Sequence, residues 1–504
     1  MRVLFDTNIF IALEDQHVLQ SKYVKLLDIM AQRDAEILLH QSIADDIERD
    51  KDPTRKKSSL SKLAKYRKLE EVEDCSELFD STFGIQTAKD NDRVDCELLC
   101  AVYRDAVDIL ITEDHGIHSK ARKLGISDRV FYVQQAIYSF DLELQPRSIS
   151  IPNIEEIYVH KIREDLGSSF FDSLREDYPG FDKWFVEKCC RAGRKAWIYR
   201  GGDTSIGALC IMKECEDEIV TGDSRALAGK SLKLCTFKVA SEHQGKKIGE
   251  LFLKAAFRYS SLNGIESIFL TMKETQKHLQ LLVEDFGFQK FGIDSNLDMV
   301  YVKSQPVNPP RVELDPLDYH RKYSPHFRAS PEVRKFIVPI VPEFHKMLFP
   351  DWSLPTEVTQ LQLPLHVDLG QIPGNAIKQA YICKSKISKI ERGDVLLFYR
   401  SRDTKLLTSI GIVESAERLK DADKIFSRVR KRTVYDIEGI RQLAKNGCLV
   451  ILFRLAVHFE GRISARDLEQ IGVDGPIQSI REMSHEKFEQ LVQRISFKNC
   501  ILAH

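Results

Sequence analysis

Two aspartates, each placed directly after a short apolar run, constrain the fold of this chain more than any other feature of its sequence. Asp6 follows the run at 2–5, and Asp114 closes the stretch 108–114. Short apolar runs of this kind predict buried parallel strands, and open α/β sheets bind ligands at the edge where such strands end. Because a buried carboxylate is costly unless it is paired or bound to a cation, the two acids predict a site for a hard metal ion.

The length of 504 residues predicts about three domains. Proline-containing stretches near 141–153 and 305–310 are typical of linkers. We therefore predict three blocks at 1–140, 150–305 and 365–504, with 306–364 as a linker region. Residues 306–504 hold 31 Lys and Arg against 24 Asp and Glu, a charge of +7, so the rest of the chain carries −8. This division suits a metal site in front and a polyanion surface behind, although solvated faces alone could produce it.

The sequence also indicates where the protein resides. No apolar run approaches the ~20 residues that a transmembrane helix needs, and Asp6 interrupts the layout of a signal peptide. We therefore expect a cytoplasmic protein. The eleven cysteines are scattered and include no Cys-x-x-Cys pair, so neither structural zinc nor a disulfide framework is expected.

Four acids of the first block fall at predicted strand ends or helix starts. Besides Asp6 and Asp114, Asp46 lies in the first turns of a helix that Ser42 can cap, and Asp95 opens a further helix. Converging on one sheet edge, they would offer the oxygen ligands that Mg²⁺ or Mn²⁺ prefers. Acids close enough to take the same places are Asp45, Asp92, Glu97 and Glu113. The alternative is that all of them are helix caps and solvated loop residues.

This arrangement resembles the PIN-domain nucleases over about 1–135. The match rests on Asp6-Thr7-Asn8, Ser42-Ile-x-x-Asp46, Val94-Asp95 and Thr112-Glu113-Asp114. The resemblance implies an α/β/α sandwich with Asp6, Asp46, Asp95 and Asp114 as catalytic and metal-binding residues. It implies a metal-dependent endoribonuclease that hydrolyses phosphodiesters. Because such nucleases often act as toxins, it also implies a cognate antitoxin protein as a partner.

A basic stretch lies between the second and third acids. Its candidate RNA contacts are Arg55, Lys56 and Lys57. Their positive charge could hold a phosphate backbone beside the acids. A solvated helix face is the other interpretation, since most charge runs are of that kind.

In the second block, an alternating strand at 232–239 leads into a glycine-containing loop that opens an amphipathic helix. Backbone N–H groups at such a helix start favour a pyrophosphate. With the strand at 267–272 and the helix ending at 285–288, this order resembles the GNAT acetyltransferases, whose cofactor loop reads Gln/Arg-x-x-Gly-x-Gly/Ala. The resemblance implies a GNAT α/β fold and acetyl-CoA as the cofactor. It implies a pyrophosphate cradle formed by Gln244, Gly245, Lys246, Lys247, Ile248 and Gly249.

Two positions depart from the GNAT pattern. Lys247 stands where the family usually has glycine, and Val283 stands where many members carry the tyrosine that protonates the leaving thiolate. Acetyl-CoA binding is therefore a firmer expectation than acetyl transfer, because loss of a general acid can cost about two to four decades in rate. The candidate bases, which the sequence does not separate, are Glu214, Glu216, Glu218 and Glu242. A structural domain without CoA is the alternative.

The third block has strand-like segments at 394–400, 407–414 and 448–454 that predict a small mixed β-barrel. With 374–381, it is similar to PUA-like domains of the ASCH and EVE kind, which bind RNA or modified bases. The resemblance implies RNA contacts at Asn375, Lys378, Tyr399 and Arg400. A second basic segment could add phosphate contacts from Arg428, Arg430, Lys431 and Arg432, or could be a solvated turn.

Taken together, the sequence predicts an α/β multidomain protein that joins a PIN-like endoribonuclease, a GNAT-like acetyltransferase and a PUA-like RNA-recognition domain. Two rival functions stay open. One is an acetyltransferase that modifies RNA or protein, with the first block as an inert docking module. The other is a non-enzymatic RNA-binding regulator, which would bind RNA without turnover and lose affinity steeply with added salt.

Overall fold

A computed structural model describes most of the chain. The residues that it describes are 1–14, 20–33, 35–48, 56, 59–60, 62–63, 65–69, 72, 75, 79, 90–144, 154–202, 204–308, 310–352, 376–429, 432–435, 437–494 and 502–503.

The elements are numbered in chain order. The strands are β1 Arg2–Phe5, β2 Glu36–Leu39, β3 Arg67–Lys68, β4 Ile109–Ile111, β5 Val130–Phe131, β6 Glu155–Tyr158, β7 Lys195–Arg200, β8 Ile206–Glu216, β9 Lys230–Val239, β10 Ser267–Met272, β11 Gln289–Ile293, β12 Met299–Ser304, β13 Phe327–Arg328, β14 Lys335–Ile340, β15 Lys378–Cys383, β16 Val395–Arg400, β17 Leu406–Leu419, β18 Cys448–Ser464, β19 Arg481–Met483 and β20 Leu502–Ala503. The α-helices are α1 Thr7–Glu14, α2 Ser21–Gln32, α3 Ile43–Glu48, α4 Asp90–Tyr103, α5 His115–Lys123, α6 Val133–Leu144, α7 Asp172–Asp177, α8 Phe181–Trp184, α9 Ile248–Asn263, α10 Lys277–Asp285, α11 Pro316–Tyr323, α12 Pro342–Leu348, α13 Ala422–Val429, α14 Ile437–Ala444, α15 Ala465–Gln470 and α16 His485–Gln493.

The chain divides into two compact units. The first comprises Met1–Arg147, Leu419–Lys431 and Tyr435–Asn446. The second comprises Ser148–Arg418, Arg432–Val434 and Gly447–His504. The first unit thus takes in α13 and α14, which lie within the third block of the sequence.

A parallel five-stranded sheet forms the centre of the first unit, with strand order β3-β2-β1-β4-β5. Successive side chains of β1 point to opposite faces, so Val3 and Phe5 enter one hydrophobic core and Leu4 enters the other. Helices cover both faces, as a parallel sheet requires. The predicted strands at 2–5 and 109–111 are confirmed. Asp95 does not open a helix as expected, because α4 begins at Asp90.

The second unit holds two large sheets. The seven-stranded sheet has the order β11-β12-β10-β9-β8-β7-β6, and only its β9–β10 pair is parallel among the neighbours described. The six-stranded sheet has the order β15-β18-β17-β16-β14-β19. In the described part of the chain this mixed sheet keeps two edge strands, where a closed barrel was expected. The prediction of a mixed α/β protein with several sheets is confirmed.

The predicted linker at 306–364 is wrong for its described part. It contains α11, α12 and the strand β14, which lies inside the six-stranded sheet. Pro316 and Pro342 stand in the first turns of the two helices. Proline is well tolerated there, because the first N–H groups of a helix have no partner within it. The prolines therefore mark helix starts, and residues 353–364 lie outside the described chain.

Two further expectations can be compared with the structure. The cysteines were expected to form no disulfide framework, but Cys75 and Cys100 are joined by a disulfide bond. Among the described residues, no helix combines the length and apolar character needed to cross a membrane.

Candidate functional site

A cleft opens in the seven-stranded sheet where two neighbouring parallel strands separate. β9 and β10 keep a shared register only from Ser231–Ser267 to Leu234–Leu270, although β9 continues to Val239. At the same point the register between β8 and β9 shifts, so that Cys235 forms a bulge. A bulge bends its strand. Beyond Leu234 and Leu270 the two strands are no longer paired with each other.

The separation of the strands leaves a cavity of about 570 Å³. This volume is within the range of small-molecule sites. Its lining includes Tyr178, Cys235, Thr236, Thr271, Lys273 and Asp298. The cavity thus combines the strand gap with acidic, basic and hydroxyl groups.

Asp298 is the most buried carboxylate of this cavity, with an exposed fraction of 6%. Burial raises its pKa, and the nearby charge of Asp294 raises it further. Tyr178 lies in the same cavity lining, where burial and the negative charge of Asp298 raise the pKa of the phenol. A carboxylate with a raised pKa beside a neutral hydroxyl is an arrangement suited to proton transfer near neutral pH.

The predicted pyrophosphate cradle lies after the same strand. After β9 the chain passes through Ser241–His243 and Gln244 to the start of α9. Gly245 and Lys247 have φ values of 87° and 58°, a left-handed conformation that glycine adopts freely and lysine rarely does. Gly249 lies so close to Leu282 and Phe237 that a Cβ atom would be 2.8 Å from Leu282. Ile248 is buried in the core, so its side chain is not available to a ligand.

Two of the amines near this loop already have contacts. Lys246 Nζ lies 3.1 Å from His243 Nδ1, and burial lowers the pKa of Lys246. Lys247 Nζ donates to the carbonyl oxygen of Lys378 at 2.8 Å. The loop therefore brings two cations to the start of α9, with Lys247 held by a residue of β15.

The positions considered from the sequence for a general acid and a general base are not in the lining of this cavity. Val283 is fully buried in the hydrophobic core. Glu214 accepts a hydrogen bond from the Tyr259 hydroxyl, and Glu218 pairs with Lys213 at 3.2 Å. The cavity lining contains none of the four glutamates considered from the sequence. The lining instead includes Asp298 and Tyr178, which nothing local in the sequence indicates.

A second group of polar residues lies at the carboxyl edge of the parallel sheet in the first unit. Asp6 has an exposed fraction of 6% and follows β1. Its carboxylate accepts hydrogen bonds from Thr112 Oγ1 at 2.5 Å, Asn8 Nδ2 at 2.5 Å and Thr7 N at 2.6 Å. Asn8 and Thr112, which belong to the motifs that resemble the PIN-domain nucleases, thus contact Asp6 directly.

The other acids of the predicted quartet are placed differently. Asp114 caps α5 by accepting from the N–H groups of Gly116 and Ile117. Asp95 accepts from Lys120 Nζ at 2.7 Å. Asp46 lies in α3, but its side chain is outside the described structure. Two of the acids therefore already have structural partners.

The negative charges of Asp95 and Asp114 oppose the ionisation of Asp6. Burial raises the pKa of Asp6 to about 6, and Asp95 and Asp114 add to the increase. Within the described chain, however, no three His, Cys, Asp or Glu side chains converge to hold a metal ion. The ammonium of Lys120 supplies the positive charge beside Asp95. The described residues therefore do not fit an Mg²⁺ or Mn²⁺ site.

The raised pKa of Asp6 predicts a pH-dependent effect of Asp6→Asn. Ionising Asp6 in the folded protein costs about 3 kcal/mol, because each pKa unit corresponds to about 1.4 kcal/mol. This cost is absent below pH 4 and complete above about pH 6. Relative to the unaltered protein, the variant should therefore gain about 3 kcal/mol of stability between pH 4 and pH 7. Denaturant unfolding at both pH values checks this, and a difference that does not change with pH would contradict it.

Another cavity, of about 990 Å³, lies in the second unit and is lined mostly by residues of the third block. It opens beside β14, β15 and β16. Tyr381, Tyr399, Lys384, Arg402 and Lys405 are among its lining residues. Aromatic and cationic side chains in one cavity suit a nucleotide.

The predicted RNA contacts are mostly used elsewhere or lie outside the described residues. Lys56 donates to the Glu48 carbonyl at 2.6 Å, and Lys378 pairs with Asp285 at 3.1 Å. Arg400 is buried and pairs with Asp403 at 2.5 Å. Arg432 is buried against Glu414, while Arg428 is half-buried in α13. Of the predicted RNA contacts that the structure describes, Tyr399 alone is in the lining of the 990 Å³ cavity. The predicted contacts outside the described structure are Arg55, Lys57, Asn375, Arg430 and Lys431.

Comparisons with known proteins add the following. No family model matches the sequence, and no curated protein matches it significantly. ASCH from Zymomonas mobilis is 15% identical over 33% of this chain and 98% of its own, with a TM-score of 0.24. A GNAT family acetyltransferase from Staphylococcus aureus Mu50 is 14% identical over 31% of this chain and 100% of its own, with a TM-score of 0.24. The PaiA N-acetyltransferase from Thermoplasma acidophilum, in complex with coenzyme A, is 16% identical over 30% and 99%, with a TM-score of 0.24. Likenesses with TM-scores this low do not assign the chain to a family.

Proposed function

We propose that residues 150–305 bind acetyl-CoA and transfer its acetyl group to an amine. The observation that carries this proposal is the separation of β9 from β10 at the Cys235 bulge, next to a loop that starts α9. An extended thioester fits into such a gap, where exposed strand backbone can hydrogen-bond to it. Its phosphates fit at the helix start, where backbone N–H groups and the cations Lys246 and Lys247 meet.

The residues of the cavity support the chemistry. Acetyl-CoA, when bound, supplies a reactive acetyl thioester. Asp298 takes a proton from the attacking amine nitrogen as the new C–N bond forms and the C–S bond breaks. Tyr178, which lines the same cavity as Asp298, donates its proton to the departing sulfur and recovers one from the Asp298 carboxyl group. The net change converts an amine and a thioester into an amide and a thiol.

Calorimetric titration of acetyl-CoA into the full chain tests the cofactor half of this proposal. We expect saturable binding to one site, and an increase in Tm that follows ligand concentration. A ligand at 100 times its Kd should stabilise the folded state by about 2.7 kcal/mol. Pantetheine, which lacks the nucleotide, is the control and should bind much more weakly. No binding of acetyl-CoA would contradict the proposal.

We propose a second function, RNA cleavage, for the first unit. The buried Asp6, whose pKa is raised by burial and by the charges of Asp95 and Asp114 at a sheet edge, favours it. Because the described residues do not form a metal site, no step is assigned to a metal ion. Incubation of total cellular RNA with the protein in Mn²⁺ or EDTA, beside Asp6→Asn, tests this function. Cleavage lost in the variant supports it, and equal cleavage by both proteins contradicts it. An antitoxin partner stays a prediction.

RNA recognition by the third block is supported by its 990 Å³ cavity. Under this proposal, Lys384, Arg402 and Lys405 contact phosphate, and Tyr381 stacks on a base. Each lost phosphate contact should reduce the salt dependence of binding. Lys405→Gln that left both the affinity for single-stranded RNA and its salt dependence unchanged would contradict this assignment.

A further inference from the structure

The cofactor loop and the third block meet through one face of α9. Lys247 Nζ donates to the carbonyl oxygen of Lys378 at 2.8 Å, and the Lys378 N–H donates to Glu250 Oε1 at 2.5 Å. One turn later, Lys254 Nζ pairs with Asp351 at 2.7 Å. Glu250 and Lys254 are four residues apart in α9, so they share one helix face, and Lys247 directly precedes this helix. This face is occupied by residues that follow the seven-stranded sheet in the chain.

The segment at 376–378 is fixed on both sides. Ile377 has an exposed fraction of 4% and belongs to the same hydrophobic core as Ile248 of α9 and Val283 of α10. The Lys378 ammonium pairs with Asp285 at the end of α10. The segment therefore contacts both helices that follow the strands of the cleft, and its backbone position depends on core packing as well as on ion pairs.

Lys247 is the residue through which this segment reaches the cofactor loop. It stands at the last position before α9, in a left-handed backbone conformation that lysine rarely adopts. A glycine there would have less backbone strain, so the lysine side chain needs its own explanation. Its contact with Lys378 directs the long side chain and fixes the ammonium beside the helix start. An ammonium has three donors, so it can bind the carbonyl and a phosphate together.

We infer that the third block contributes to the cofactor site. Its Ile377 and the Lys378 carbonyl position Lys247 to bind a phosphate of acetyl-CoA. This inference rests on the proposed acetyltransferase function. Lys247 is then a binding residue, and Ile377 is a positioning residue that acts through Lys378. Position 247 is then a lysine instead of a glycine because its ammonium binds phosphate while the Lys378 carbonyl holds it in place.

The test compares two acetyl donors in the full-length protein. One is acetyl-CoA, and the other is S-acetyl-N-acetylcysteamine, a short thioester without phosphates. Lys247→Met should weaken acetyl-CoA binding about 10- to 100-fold, the size of a lost charged hydrogen bond. Its kcat/KM with the short thioester should stay within about twofold of the unaltered protein, because that donor never reaches the lysine.

Ile377→Ala tests the role of the third block, with Ile382→Ala as its matched control. Both isoleucines are buried at β15, but only Ile377 belongs to the core that contains α9. Ile377→Ala should weaken acetyl-CoA binding several-fold and leave the short thioester unaffected. In Lys247→Met the same change should have little additional effect, because both act through one contact. Ile382→Ala should lose comparable stability without changing acetyl-CoA affinity. Ile377→Val gives the same comparison at smaller amplitude if the alanine variant does not fold.

The outcomes separate the inference from the function beneath it. Acetyl-CoA affinity that is unchanged in Lys247→Met overturns the inference and leaves the proposed function standing. Equal losses in Ile377→Ala and Ile382→Ala overturn the positioning role. An unaltered protein that binds no acetyl-CoA overturns the proposed function and the inference together.

Discussion

Asp298→Asn is expected to lower kcat for acetyl transfer by about two to four orders of magnitude, with the Kd for acetyl-CoA unchanged within about twofold. Asparagine keeps the size and polarity of the side chain but does not take a proton from the amine. Because Asp298 lines the cavity and is not part of the loop at 244–249, cofactor binding should not depend on its charge. Steady-state kinetics and calorimetry on the same preparation check both statements.

The pH dependence of kcat/KM in the unaltered protein also tests whether Asp298 is the base. Burial, Asp294 and Asp177 raise the pKa of Asp298. The Tyr178 hydroxyl and Lys273 lower it, and the net pKa is raised. The acidic limb of the kcat/KM profile should therefore lie above the usual carboxylate range. Asp294→Asn removes a neighbouring negative charge, so it should move this limb to lower pH without abolishing activity. A profile that is the same in Asp298→Asn and in the unaltered protein would contradict the role of base.

Arg454→Met is expected to destabilise the second unit by about 3–5 kcal/mol, because it takes a cationic partner from two buried carboxylates at once. Arg454 is 1% exposed, and its guanidinium donates to Glu414 at 2.5 Å and to Asp285 at 2.7 Å. Burial opposes ionisation of both acids. Cations nevertheless lower both pKa values, with Arg432 and then Arg454 acting on Glu414, and Arg454 and then Lys378 acting on Asp285.

The sign of the pH effect follows from these lowered pKa values. Their contribution to stability is present above the ordinary carboxylate pKa and is lost as the pH falls through the lowered values. The destabilisation by Arg454→Met should thus be largest at neutral pH and smaller in acid. Lys195→Met removes a surface pair with Glu156 and serves as the control, with an expected loss below about 1 kcal/mol. Urea unfolding monitors both variants, and similar losses would contradict the buried network.

The strands beside the sites could be predicted from the sequence, because their signals are local. The apolar run before Asp6 and the alternation at 232–239 are confirmed as β1 and β9, and α9 starts where the glycine loop predicts. Prolines carry a more ambiguous signal. The proline-containing stretch at 305–310 favours a linker over 306–364, whereas in the structure Pro316 and Pro342 of that region begin helices beside a buried strand.

Residues that depend on distant partners could not be predicted in this way. Arg432 belongs to a basic run that favours a surface, yet its charge is buried against Glu414, 18 positions earlier in the chain. Asp298 and Tyr178 are 120 positions apart and meet only because the fold brings both to one cavity. The place of α13 and α14 in the first unit likewise follows from tertiary contacts, since nothing in their own sequence marks it.

Release of the CoA thiol that depends on an amine is the measurement that decides whether this chain transfers an acetyl group from acetyl-CoA. The full-length protein would be incubated with acetyl-CoA and a set of small amines and amine-bearing macromolecules, beside Asp298→Asn. We expect thiol release that requires an amine and that falls at least about 100-fold in the variant. The product should be about 42 Da heavier than the amine, as acetylation requires. Thiol release that is equal in both proteins, or acetyl-CoA that is neither bound nor consumed, would contradict it.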